Sequence, residues 1–461
     1  MQPKKNLILI LASIGTFVEA LDIAIINLTI PSIQSQFNIT ENTVQWLQTL
    51  YVLFFGGFLI IGGKLSDQLG RKKIFLIGGT IFMLTSLGAG MSTNFQTLAI
   101  FRALQGLGAA FIMPSALSIV THTFQKDQER NHALGIFSAF AAIGSGSGLS
   151  IGGIISTYLS WHWVFLINVP ILFITIILSY KFLPSDIKNS NRTSTDTVSG
   201  ILLVLGLLLL TYGTHEFIHI QERPFIISGS IILSVLLLAA FIYRLKNISN
   251  PLIDLKLFSH TSLVTSNLVF LSLGAFFISF LFLISLMLQK DMGYSAASSG
   301  LMLVPFSILS ALIAKFALPN ISKKLSSVQI GILGWSFMLT GALCLILAIY
   351  FHHSTVLVLM GAACISGIGM TLCFTSLSVL GIRDVEPQQY GVASSLTSTS
   401  YFLGAGIGLS FMTLMVQFFP SEWAVSNLSL FILFIDGAIA ILILLFFIIK
   451  EYKIMRESLD Y

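Results

Sequence analysis

Long apolar runs separated by short polar stretches fill the chain from end to end. A helix needs about 20 apolar residues to cross the hydrocarbon of a bilayer. Fourteen runs meet that demand, at approximately 7–30, 44–63, 74–92, 95–119, 133–158, 162–182, 197–214, 224–243, 263–288, 297–318, 328–350, 355–381, 390–418 and 428–449. None alternates apolar with polar residues as barrel strands do. Pro114, Pro170 and Pro305 lie within runs, which membrane helices tolerate. The run 390–418 is too long for a straight crossing, so one end is loop or the helix tilts. The pattern predicts an all-α membrane protein. The first run follows Lys4 and Lys5 and superficially resembles a signal peptide. It is too long for a signal h-region and no small-residue cleavage site follows it, so it reads as a retained helix.

The polar stretches set orientation and organisation. With a cytoplasmic N-terminus, only Arg223 and Lys290 of the 24 Lys and Arg residues fall in outer segments. Arg102 lies within a span, and the rest fall inside, so both termini are expected in the cytoplasm. The longest inner segments are 183–196 and 244–262. They divide the chain into an N-terminal six-helix bundle (1–183), two inserted helices with flanking cytoplasmic loops (184–262), and a C-terminal six-helix bundle with its tail (263–461).

Composition narrows the function. Of 461 residues, 55% are hydrophobic and only 9% are charged, against about a quarter charged in soluble domains. Too few polar side chains exist to coat a water-facing surface, which excludes a soluble enzyme, a nucleic-acid binder and a disordered chain. Cys344, Cys364 and Cys373 lie in apolar runs without a paired motif, and suggest neither disulfide nor metal.

The charges inside the spans carry the chemistry. Glu19 and Asp22 lie in the first run, Asp436 in the last, and Arg102 in the fourth. An ionisable group at mid-bilayer costs roughly 2.5–3.5 kcal/mol on insertion scales, so each needs a polar cavity or a partner. Glu19 and Asp22 are three positions apart and share a helix face. At 1.5 Å per residue from Leu7 they sit about 18 and 22 Å along the helix, near mid-membrane. Two neighbouring carboxylates in low dielectric cannot both ionise cheaply. Such a site holds a proton or a cation but not both, which is the chemistry of proton-for-cation exchange. Arg102 has the reach to pair with a carboxylate or a carbonyl. Asp436 has no evident partner in sequence; it is a second protonation site or a helix-contact hydrogen bond.

Two further segments stand out. Gly144 to Gly153 places Gly144, Gly148, Gly152 and Gly153 in one span, where small residues allow a second helix to approach closely. This predicts a hinge or sliding contact. Between spans two and three, Gly63, Asp67, Gly70 and Arg71 form an ordered Gly-x-x-x-Asp-x-x-Gly-Arg loop. It predicts a gating latch, with Asp67 and Arg71 paired or latched to a neighbouring helix.

Together these motifs resemble a known family. Gly63-Lys-Leu-Ser-Asp67-Gln-Leu-Gly70-Arg71-Lys72 resembles the signature loop of the major facilitator superfamily. Arg102-Ala-Leu-Gln105-Gly106 resembles its fourth-helix motif, associated with proton coupling, and Gly144 to Gly153 its antiporter motif. Leu21-Asp22 through Asn27 to Pro31, Trp161 through Asn168 to Pro170, and Asn250-Pro251-Leu-Ile-Asp254-Leu resemble the fourteen-span drug:proton antiporters. The resemblance covers nearly the whole chain. It implies two six-helix bundles rocking about a central cavity, with two additional central helices and a monomeric state. It also implies drug efflux from a bacterial plasma membrane, driven by the proton gradient without a cofactor. Three departures accompany it: Leu149 stands where Pro is usual, His162 where Arg is usual, and Glu19 is an added acid that favours cationic cargo.

Phe17 and Phe54, on spans expected to line the cavity, are aromatic candidates for cargo contact, and Gln48 and Tyr51 polar ones. Acidic and aromatic walls suit lipophilic cations. The expected partners are therefore protons, small lipophilic cations and the lipid bilayer. A dedicated tetracycline exporter shares the architecture, and proton-coupled metabolite transport is the next alternative. No soluble sensor or catalytic constellation supports a receptor or an enzyme.

Overall fold

The computed structural model describes residues 3–186, 196–217, 220–248, 251–352, 354–386, 389–418 and 425–459. Backbone groups in hydrocarbon must be satisfied within their own segment, and the described residues are accordingly almost all helical, without a strand. In chain order the helices are α1 (Pro3–Ile25), α2 (Ile30–Phe37), α3 (Glu41–Leu69), α4 (Arg71–Gly90), α5 (Phe95–Thr123), α6 (Asp127–Tyr158), α7 (His162–Leu166), α8 (Asn168–Phe182) and α9 (Thr197–His215). They continue as α10 (Pro224–Asn247), α11 (Thr261–Leu286), α12 (Ala296–Leu312), α13 (Leu318–Ile321), α14 (Ser327–Tyr350), α15 (Thr355–Ala362), α16 (Met370–Ile382), α17 (Tyr390–Phe418) and α18 (Asn427–Leu459).

Thirteen helical segments of the described residues are long and apolar enough to span a membrane. The remaining expected span, 390–418, is the 29-residue helix α17, unbroken at either end. Side-chain caps set several starts: Thr40 accepts from Thr43 N at 3.2 Å and Asn94 from Thr97 N at 2.8 Å. Ser326 and Gln329 form a reciprocal capping box at α14. Wide π-type turns interrupt the helical runs at Met287–Asp291, Ile313–Ala317 and Ala363–Gly369.

The chain forms two compact units. The first comprises Met1–Leu252 and Leu288–Val304. In it α1 lies against α6, and α5 against both α3 and α4. Helices α9 and α10 pair with each other, and α9 lies along α3. Trp46 lies tilted against His215 with ring centroids 5.1 Å apart, and Gly57 leaves room for Val204. At the other end of the pair, Asp196 caps α9 through Ser199 N at 3.2 Å and binds Arg244 Nε at 3.0 Å, while Lys64 Nζ donates to Pro251 O at 2.5 Å. The second unit comprises Ile253–Met287 and Pro305–Tyr461. There α11 lies against α16, α17 and α18, and α14 against α16 and α18. Helix α12 runs across the boundary, which falls between Val304 and Pro305.

Candidate functional site

Asp22 lies one turn from the end of α1, fully buried, and α5 and α8 deliver three donors to it. Arg102 Nη1 donates to Oδ2 at 2.5 Å; Gln105 Nε2 and Asn168 Nδ2 donate to Oδ1 at 3.0 and 3.1 Å. Arg102 and Gln105 are three residues apart, so one face of α5 presents both. Arg102 is itself completely buried. It donates through Nη1 to Gln105 Oε1 at 2.7 Å and through Nε to Leu47 O at 3.2 Å, and lies over the Tyr51 ring at 4.3 Å. Gln105 also donates to Ser86 Oγ at 2.8 Å. A carboxylate and a guanidinium are thus paid for in hydrocarbon by charge, hydrogen bonds and an aromatic face.

Glu19, one turn nearer the α1 N-terminus, is 5% exposed and accepts no hydrogen bond from the described residues. On α1, α3 and α5 several buried polar atoms also have no hydrogen-bond partner among the described residues: Ser13 Oγ, Thr16 Oγ1, both amide atoms of Gln48, Tyr51 Oη and Arg102 Nη2. Buried polar groups of this kind ordinarily find a partner or an ordered water.

The other predicted residues fall in separate places. Gly144, Gly148 and Gly152 line the α6 face against α1: a Cβ at Gly148 would lie 2.8 Å from Leu21 O, and one at Gly152 2.5 Å from Ile25 O. Gly144 faces Phe17 O, and Gly153 faces Ala296 O. Gly300 reciprocates, with its Cβ position 2.5 Å from Leu149 O. Gly63 and Asp67 lie in the last two turns of α3, Gly70 breaks the helix at φ +108°, and Arg71 begins α4.

Asp67 and Arg71 make no ion pair with each other; Asp67 lies within electrostatic reach of both Arg71 and His122. What grips the loop is Asp186, beyond α8, whose carboxylate accepts from Lys72 N and Lys73 N at 3.0 Å each. Lys72 Nζ adds a bond to Leu183 O at 2.9 Å. Neither Asp186 nor His122 is marked by any local sequence pattern.

Of the aromatic and polar candidates, Tyr51 is wholly buried and stacked on Arg102, and Gln48 is buried one turn before it. Phe54 lies against Gly106 and 5.9 Å from Phe58. Phe17 is half-buried beside α6. In the second unit, Asp436 lies against Ser272, with Oδ2 otherwise unpartnered.

A helical protein of many spans, with a neutralised ion pair inside one bundle, is as a class a membrane transporter. The description of the Major Facilitator Superfamily matches residues 12–409, and the chain belongs to that family. It is 31% identical over 416 residues to the cephamycin export protein CmcT of Amycolatopsis lactamdurans, covering 87% of this chain and 83% of that one. It is 29% identical over 416 residues to the multidrug resistance protein Stp of Mycobacterium tuberculosis, covering 89% and 75%. With the methyl viologen resistance protein SmvA of Salmonella typhimurium it shares 27% over 406 residues, covering 86% and 80%. The xylose transporter XylE from E. coli, in a partially occluded inward-open conformation, superposes with a TM-score of 0.65 at 14% identity. That match covers 95% of this chain and 96% of that one, a likeness of fold.

Proposed function

We propose that the protein is a proton-coupled efflux antiporter for lipophilic, mainly cationic drugs, dyes and biocides. It sits in the plasma membrane with both termini in the cytoplasm. The observation that carries this reading is the buried Asp22–Arg102 pair with Glu19, which accepts no hydrogen bond from the described residues, one turn away. An ionised Asp22 is acceptor-only and suits three N–H donors; a protonated one carries a hydrogen of its own. Arrival of a proton therefore removes the negative charge that holds the Arg102 guanidinium, and the pair loses its charge attraction. Protonation and rearrangement of α1 against α5 are chemically linked.

In the proposed cycle, the acid pair is protonated when the site opens outward, and the cation loses its counter-charge and leaves. When the site opens inward, the proton departs and the ionised pair takes a new cation. Exchange is obligatory if the empty, ionised site cannot close. The likeness to export and resistance proteins supports the outward direction, and the resistance to methyl viologen, a dication, for which SmvA is named supports the charge. A dedicated tetracycline:proton antiporter would share this frame.

Ethidium movement in proteoliposomes under an imposed pH gradient tests the proposal, comparing wild type with Asp22→Asn and Glu19→Gln. Gradient-driven movement in the wild type, lost in Asp22→Asn, is the expected result. A folded wild type that moves no dye, or an Asp22→Asn variant that pumps at the wild-type rate, overturns it.

A further inference from the structure

Helices α14 and α15 follow one another in the chain, run antiparallel and touch backbone to backbone. A Cβ at Gly341 would lie 2.7 Å from Gly361 O, and one at Gly361 would lie 2.9 Å from Gly341 O. Helices with ordinary side chains between them stay about 8–10 Å apart, and small residues let them come closer. Leu345 fills the space beside Gly361, and Ile365 the space beside Gly341. Cys344 immediately precedes Leu345, and Cys364 immediately precedes Ile365. One step back along a helix turns about 100° around its axis. Because the two helices are antiparallel, both steps turn to the same flank. The register that sets 345 against 361 and 341 against 365 leaves the two cysteines about 3 Å apart in height.

Both thiols are half-buried on that flank and within electrostatic reach of each other. Cys373, by contrast, is fully buried and donates to Gly331 O at 3.7 Å. Cys364 also lies in the wide π-type turn Ala363–Gly369, a departure from regular helix that is frequent at functional sites. No local motif marks the pair, since its members meet only across two helices.

We infer that Cys344 and Cys364 form a two-thiol site for a soft, two-coordinate dication of the mercuric class, which staples α14 to the π turn. Thiolates favour soft metals. Zinc takes three or four protein ligands, and no group of three metal-ligating side chains gathers among the described residues. Charge is expensive inside a bilayer. Two thiolates on a dication make a neutral complex, whereas on a silver or cuprous ion they would leave a net negative charge. On binding, each thiol gives its proton to water. Two S–H bonds break, two S–metal bonds form, and nothing is oxidised or reduced. The site uses none of the residues of the proposed transport cycle.

The test uses the full-length, reduced protein in detergent, with mercuric chloride as the probe and a monothiol as competitor. It compares wild type, Cys344→Ser, Cys364→Ser and Cys373→Ser. A pair of linked thiols gains effective concentration over a single one, so wild type should hold mercury about 100-fold more tightly than Cys344→Ser or Cys364→Ser. Cys373→Ser should bind as wild type does. Without the competitor, X-ray absorption at the metal should show two sulfur neighbours in wild type and one in each of the first two variants. If a serine variant is poorly folded, the alanine variant at that position is measured instead. Mercury held no more tightly by wild type than by those two variants, or held by one sulfur in wild type, overturns the site. Loss of tight binding in Cys373→Ser overturns the assignment of the pair.

Discussion

Glu19 and Asp22 lie one turn apart on the same helix in opposite circumstances. Asp22 accepts from Arg102, Gln105 and Asn168, whereas Glu19 accepts from none of the described residues. The two carboxylates are therefore not interchangeable. Substituting Glu19→Gln should weaken binding of a lipophilic cation while leaving α1 seated on α5. Substituting Asp22→Asn should stop coupling while the cation still binds at Glu19. Equilibrium dye binding alongside gradient-driven transport separates the two, and equal losses in both readouts for both variants would refute the division.

Removing either member of the pair should weaken the fold, since breaking a buried ion pair costs about 3–5 kcal/mol. Arg102→Ala leaves Asp22 with Gln105 and Asn168, to be neutralised by a proton. Asp22→Asn leaves Arg102, which cannot lose its proton, with Leu47 O, Gln105 Oε1 and the Tyr51 ring. Thermal unfolding in detergent should place both single variants below wild type. The Arg102→Ala/Asp22→Asn double variant should recover part of the loss.

At the α1–α6 contact, backbone approaches backbone. Gly152→Val would drive a side chain into Ile25 O, whose distance from the Cβ position is already only 2.5 Å. Overpacking of this kind costs about 1–3 kcal/mol. Transport should fall severely in Gly152→Val and much less in Gly135→Ala, since a Cβ at Gly135 meets nothing within 4 Å. Comparable transport in the two variants would remove close packing as the reason for the glycine run.

Asp186→Ala should loosen the start of α4. Loss of a side-chain cap costs about 1 kcal/mol, and here one carboxylate holds both Lys72 N and Lys73 N. The check is the unfolding temperature together with amide exchange at residues 72 and 73. Exchange there as slow as in wild type would show that the cap is dispensable.

The Asp196–Arg244 clasp predicts a pH effect with a definite sign. Burial opposes the charge on Asp196, but hydrogen bonds from Ser199 and Arg244 outweigh it and hold the carboxyl below its ordinary value of 3.8. A lowered folded-state value means the stabilisation is complete above that ordinary value and disappears as pH falls through the folded one. Asp196→Asn should therefore be less stable than wild type at neutral pH, and the two unfolding curves should converge in strong acid. A gap that persists unchanged to low pH would assign the effect to packing.

The spans were legible because each is a local property: a run of apolar residues must be helical in hydrocarbon, whatever surrounds it. The charged centre was legible for a related reason. Asp22 and Arg102 are conspicuous where charge is expensive, and each implies a partner. Who holds whom was not. Ser86 supports Gln105 from α4, and Asp186 reaches back to Lys72 across 114 residues. No periodicity encodes such pairings. The loop expected to act as a latch, with Asp67 and Arg71 paired or held to a neighbouring helix, illustrates the limit: the motif points to no partner, while Asp186 grips the loop backbone at Lys72 and Lys73.

Because α12 belongs to one compact unit up to Val304 and to the other from Pro305, the two units are not consecutive stretches of chain. Expressing the protein as two polypeptides divided near residue 252 would strand Leu288–Val304, which includes the partners of Gly153 and Leu149, on the wrong fragment. A gene fusion, split or domain exchange has to respect a seam that lies inside a helix.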